Sequence, residues 1–196
     1  MSATYSGNYP IERRAGEIER LNIQSKAMAP DTLAMLGRFG PMEGGITDLL
    51  SARVGRAGRV IGLDMDEEFL EYARRSAPTN VEFRRGDAYD ADLPAGSFDL
   101  VHMRFVASTA GSPDRLLQEA ARLVRPGGIV ALQEPDGTTL NCYPPHPAWD
   151  RLKAALLATF SGVGADLELA RKLYFLMKQA GFRDVQYRAA CWQFVR

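Results

Sequence analysis

The sequence predicts an α/β fold: a doubly wound, mostly parallel sheet with helices on both faces. Three observations predict it. Short apolar runs of buried-strand type recur at Val60–Leu63, Val81–Phe83, Phe98–Met103 and Ile129–Leu132. Helical patterns separate them, and strands so separated pair in parallel through right-handed crossovers. The chain has 196 residues, 46% apolar and 24% charged, which suits one soluble domain with a full core.

The elements follow in order. Met1 to Pro10 is a polar tail or arm. From Ile11 to Phe39 the pattern is helical, with Ile18, Leu21, Ser25 and Met28 on one face and a restart at Pro30-Asp31 before Leu33, Leu36 and Phe39. The loop Gly40–Gly45 opens a helix whose apolar face is Ile46, Leu49, Leu50 and Val54. Val60–Leu63 runs into Asp64, and Asp66 can cap the next helix, which buries Phe69, Leu70 and Ala73. Val81–Phe83 ends near Gly86-Asp87. Ser112-Pro113-Asp114 offers a capping hydroxyl, a first-turn proline and an acid at the positive end of the dipole. That helix buries Leu116, Leu117, Ala120, Leu123 and Val124 and stops at Arg125–Gly128. Ile129–Leu132 then reaches Glu134-Pro135-Asp136. A helix follows with Trp149, Leu152, Leu156 and Phe160 on one side. Another spans Asp166 to Ala180 with Gly181 as its cap, and Val185–Ala189 reads as a last strand.

Lys+Arg and Asp+Glu both count 24, so the net charge is zero. That balance argues against a partner chosen by bulk charge, such as duplex nucleic acid or an anionic membrane surface. Cys142 and Cys191 make neither a zinc pattern nor a disulfide framework, and a reducing cytoplasm is the simplest home. No apolar run in the sequence is long enough to span a bilayer, no internal repeat is found, and no signal peptide is expected.

In an open parallel sheet, ligands bind beyond the carboxyl ends of the strands. Asp64, Asp87, Arg104 and Glu134 stand there. No G-x-G-x-x-G and no Walker loop accompanies them. The expected ligand therefore carries hydroxyls and a positive centre rather than a pyrophosphate. Asp64 can accept both hydroxyls of a ribose, Asp87 an exocyclic amine of adenine, and Met65 can offer the base an apolar face. Each has an ordinary alternative: an acid after a strand is often a helix cap, Glu134 can bind amides in its own loop, and Arg104 can be a salt-bridge partner.

Five segments resemble the class I S-adenosylmethionine-dependent methyltransferases in order and spacing. Gly58–Arg74 looks like their second-strand segment and Asn80–Ala88 like their third-strand motif. Phe98–Val101 and Leu123–Val130 continue the series, and Gln179–Val185 is similar to the turn before their sixth strand. The resemblance implies a Rossmann-like core binding S-adenosyl-L-methionine. It implies that Asp64 holds the ribose, that Met65 packs on adenine, and that Asp87 with Ala88 holds the adenine edge. Arg104 completes the expected cofactor set. Residues 1–40 are similar to the helical cap of small-molecule members, and 41–196 to their α/β core, within one domain. Tyr5 and Gln24 would close over the cofactor, with a packing or surface role equally open. Gly44 and Gly45 match the end of the family's glycine-rich loop, but no apolar strand precedes them. Two outcomes are expected: Val60–Leu63 pairs directly with Phe98–Met103, or further residues belong between Gly44 and Gly45. The family's closing antiparallel strand is not found before Arg196 either.

The expected function is methyl transfer to a small, largely apolar acceptor. Its walls would be the amino-terminal helices and the segment Glu134–Phe160, with Tyr143, His146 and Trp149. His102 and His146 are the candidate bases by type, and neither is assigned. A small-molecule acceptor is the expected partner, and a homodimer is compatible. A non-catalytic, partner-binding member of the family is the alternative. A nicotinamide oxidoreductase is disfavoured by the missing dinucleotide fingerprint.

Overall fold

The computed structural model describes residues 16–36 and 46–191. Tyr5, Gly44 and Gly45 lie outside the described residues. Among the described residues, two compact units form, one from 16–92 and one from 93–188.

The first unit begins with α1 (Glu17–Leu36), followed by α2 (Ile46–Val54), β1 (Val60–Asp64), α3 (Glu67–Arg74) and β2 (Val81–Arg85). Helix α1 runs through Pro30 without the expected restart. Proline removes one i→i−4 bond, but the turns on either side carry the helix across, and the Thr32 hydroxyl donates to the Met28 carbonyl at 3.1 Å. Met28 and Thr32 are buried, whereas Leu21 and Ile23 are exposed, so the apolar stripe is only partly used. Strands β1 and β2 pair in parallel from Val60↔Val81 to Asp64↔Arg85. Gly62 lies opposite Phe83, and a Cβ there would stand 2.6 Å from the ring. Asp66 caps α3 as expected, accepting from the Glu68 amide at 2.9 Å, and Leu70 is the residue that α3 buries.

The second unit contains β3 (Phe98–Arg104), α4 (Pro113–Leu123), β4 (Val124–Gln133), α5 (Pro147–Gly162) and α6 (Leu173–Gln179). Helix α4 supplies its centre. Leu116, Leu117, Ala120 and Leu123 are all buried, each leucine contributing about 1.5–3 kcal/mol. Ser112 stands at its amino end without a side-chain cap bond, so Pro113 and Asp114 carry that start. Val124 is not part of the helix: it opens β4. The expected break at Arg125–Gly128 is instead an irregularity inside β4, where the register jumps from Phe98↔Val124 to Leu100↔Ile129 and Gly127 takes a φ of 76°.

Helix α5 departs from its expected packing. Of Trp149, Leu152, Leu156 and Phe160, only Phe160 is buried, and Leu152 is 60% exposed. The helix expected over Asp166–Ala180 is split into a 3-10 turn at Leu169–Arg171 and α6, with Gly181 in the left-handed region at its end. Val185–Ala189 is not a strand, because no sheet edge among the described residues pairs with it.

Each unit thus holds one parallel pair, β1–β2 and β3–β4, as a separate two-stranded sheet. The direct pairing of Val60–Leu63 with Phe98–Met103 is not formed. The other expected outcome turns on Gly44 and Gly45, outside the described residues.

Candidate functional site

The carboxyl edge of β1–β2 gathers four of the expected residues. Asp64 ends β1, and its Oδ1 accepts from the Asp66 amide at 2.9 Å. The ladder extends one step further: the Gly86 amide donates to the Asp64 carbonyl at 2.9 Å. Asp87 comes next, and its Oδ1 accepts from the Tyr89 amide at 2.8 Å. Two carboxylates thus stand at neighbouring strand ends, each aimed by an amide two residues onward. Met65 lies between Asp64 and the α3 cap with 61% of its surface exposed. Ala88 follows Asp87 and is half-buried. The tip of Asp64 is exposed, yet the surrounding chain pushes its carboxyl above the ordinary value by desolvation. The Asp66 carboxylate adds to this, and the amides of Asp66 and Met65 oppose it.

A hollow of about 800 Å³ opens at the other end of this pair, lined by Ser51, Gly58, Pro78 and Asn80. Asn80 fastens it: its Nδ2 donates to the carbonyls of Ser51 and Gly55, and its Oδ1 accepts from the Ser51 hydroxyl. Asn80 thereby serves α2 and β2, a structural use that suffices for its place in the motif.

In the second unit, Arg104 ends β3 and is half-buried, with Nη1 fully buried and without a hydrogen bond. His102, two residues earlier on the same face, buries Nε2 without a partner. Burial brings its pKa down to about 4; a hydrogen bond with Gln133 opposes this, and the Arg104 charge reinforces it. Glu134 follows β4 and turns to its own neighbourhood. Its carboxylate oxygens accept from the amides of Ala107 and Ser108 at 2.9 and 3.1 Å. Burial pushes this carboxyl up, against the Ser108 hydroxyl and the loop amides. The fork depends on the turn after β3, where Phe105 adopts a φ of 57°. No sequence signal marks that conformation.

Gln24 lies on α1, where its Oε1 accepts from Arg20 Nη1 at 3.0 Å. His146 caps α5, its Nδ1 accepting from the Ala148 amide at 3.1 Å. Tyr143 is 95% exposed, and Trp149 donates through Nε1 to the Leu140 carbonyl at 3.3 Å.

Parallel strands with crossover helices and acids beyond their carboxyl ends define the class: a Rossmann-like α/β fold. Residues 38–132 match the family described as a methyltransferase domain. It is 32% identical over 157 residues to the demethylmenaquinone methyltransferase of Lactococcus lactis subsp. lactis, covering 71% of this chain and 62% of that protein. It therefore spans less than two thirds of that relative's length. A SAM-dependent methyltransferase from Thermotoga maritima shares the fold with a TM-score of 0.60 and 22% identity, over 89% of this chain and 80% of that one. Another from Aquifex aeolicus shares it with a TM-score of 0.60 and 20% identity, over 88% and 90%.

Proposed function

We propose that this protein transfers a methyl group from S-adenosyl-L-methionine to a small, largely apolar organic acceptor. The carrying observation is the pair Asp64 and Asp87, set side by side by the Gly86 amide at the carboxyl edge of β1–β2. The donor set fits an adenosine: two oriented carboxylates accept from hydroxyls and an amine, and an exposed methionine offers the base an apolar face. No phosphate cradle is needed.

S-adenosyl-L-methionine carries its methyl group already activated on a sulfonium, so alignment and exclusion of water are what the chain must add. Asp64 holds the ribose hydroxyls. Asp87 and Ala88 hold the adenine edge, and Met65 covers its face. Neither His146, fixed as a helix cap, nor Glu134, committed to two amides, is placed as a base. The matched stretch 38–132 takes in elements of both units, which supports reading them as one domain.

The apolar acceptor is supported by the quinone named in the Lactococcus relative's description and by the exposed Tyr143 and Leu152 after β4. Calorimetry with S-adenosylhomocysteine is the test. Micromolar binding, about −7 to −8 kcal/mol, is the expected result. No binding would favour the partner-binding alternative. Tight, salt-sensitive binding to RNA or DNA in a gel shift would overturn the choice of a small acceptor.

A further inference from the structure

We infer that Arg85 is a positioning residue for the adenine end of the cofactor: with Asp64 it clamps the peptide between Met65 and Asp66, and so fixes where the Met65 side chain stands. The inference rests on the methyltransferase reading only in naming the base as what Met65 covers. Asp64 and Arg85 are ladder partners at the carboxyl ends of β1 and β2. Such neighbours send their side chains to the same face of the sheet, where an acid and a base would ordinarily pair. These two form no ion pair with each other. Asp64 Oδ1 accepts from the Asp66 amide at 2.9 Å, and Arg85 Nε donates to the Met65 carbonyl at 3.3 Å. That amide and that carbonyl belong to one trans peptide, in which they point in opposite directions. The two side chains therefore hold a single peptide plane from both sides.

Packing does not fix Met65, because 61% of its surface is exposed and methionine is flexible and unbranched. A peptide held at both ends fixes the torsions on either side of it. These set the direction of the Met65 side chain between the end of β1 and Asp66, the α3 cap. The donor is a guanidinium, so its bond to the carbonyl is charge-assisted. Because Arg85 takes the carbonyl, the Asp64 carboxylate stays out of an ion pair and keeps its bond to the Asp66 amide. One peptide thus serves both contacts: it aims Asp64 at the ribose and Met65 at the base. An arginine that only balanced surface charge would be indifferent to Met65, and that difference is measurable.

The test uses the full chain with Arg85→Met, Arg85→Lys, Met65→Ala and the double variant Arg85→Met/Met65→Ala. In the ligand-free protein, NMR follows solvent exchange of the Asp66 amide. Arg85→Met keeps the length and removes the donor, and is expected to speed that exchange by at least about threefold. Arg85→Lys keeps a donor and is expected to restore most of the protection. Calorimetry with S-adenosylhomocysteine is expected to show about three- to tenfold weaker binding to Arg85→Met, with recovery in Arg85→Lys. In the Met65→Ala background the same arginine substitution is expected to cost less than about twofold, since the side chain it positions is gone. The unfolding temperature is expected to stay at the wild-type value in every arginine variant. Unchanged exchange and affinity in Arg85→Met overturn the clamp. Fully additive losses in the double variant, or a large fall in unfolding temperature on replacing Arg85, overturn the positioning role. If the wild type binds no S-adenosylhomocysteine, the methyltransferase reading fails, and exchange of the Asp66 amide still decides whether Arg85 holds the peptide.

Discussion

The Gly86 amide donates to the Asp64 carbonyl at 2.9 Å, and this bond brings the end of β2 level with the end of β1. Asp87 is thereby placed beside Asp64. The arrangement needs no loop of its own, because the ladder that pairs the strands also sets the two carboxylates.

Replacing Asp64 by Ala is expected to weaken S-adenosylhomocysteine binding by about 1–3 kcal/mol, since ribose hydroxyls would lose a charged acceptor. Calorimetry measures it, and equal affinity would remove the ribose assignment. The raised carboxyl pKa adds a pH signature. Binding requires the ionised form, so affinity is expected to fall, as the solution is acidified, at a higher pH than for an ordinary aspartate. Asp64→Asn should flatten that part of the profile.

Glu134 holds two amides at once. Glu134→Ala is expected to cost about 1–3 kcal/mol for each amide left unsatisfied, read by urea denaturation. Glu134→Gln keeps an acceptor and should cost less. Because burial raises this carboxyl in the folded state, its contribution to stability is full below the unfolded pKa and is lost as pH rises through the folded one.

His102 acts in the opposite sense. Its pKa falls from 6.5 to about 4 on folding. The stability tied to its neutral form is present above about pH 6.5 and is lost as pH falls towards 4. His102→Asn should remove this acid-side loss in denaturation midpoints measured across that range. An unchanged slope would show that other groups carry it.

Gly62 has no room for a methyl group, since its Cβ would meet the Phe83 ring at 2.6 Å. Gly62→Ala is expected to destabilise the protein by about 1–3 kcal/mol through overpacking. Adding Phe83→Leu should recover part of that loss, and thermal unfolding of the single and double variants measures the coupling.

Much of this was legible in the residues themselves. Asp66 as the α3 cap, Gly181 after α6, and the buried stripe Leu116, Leu117, Ala120 and Leu123 follow from local rules of capping and periodicity. Asp64 and Asp87 were legible because a strand end is a position that the pattern marks directly. What failed depended on partners distant in sequence. Val185–Ala189 has the composition of a strand but no edge to join among the described residues. Leu152 and Leu156 have helical spacing but stay exposed, with no surface among the described residues that buries them. The bulge at Arg125–Gly128 reads as a stop because proline and glycine are there, although the ladder resumes beyond them. Glu134 was visible as a strand-end acid, but its commitment to two amides depends on the positive φ of Phe105, which no residue type announces.

The two parallel pairs also bear on how the chain assembles. Val60 meets Val81 across one helix, and Leu100 meets Ile129 across another. Each closure joins neighbours in sequence, so its entropy cost is modest and grows only slowly with the length enclosed. During synthesis the β1–β2 ladder can form before the residues of β4 have left the ribosome, and the later pair can form without disturbing the earlier one. The adenosine-binding edge proposed for Asp64 and Asp87 would then be the first functional surface to exist, available to a ligand while the rest of the polypeptide is still being made.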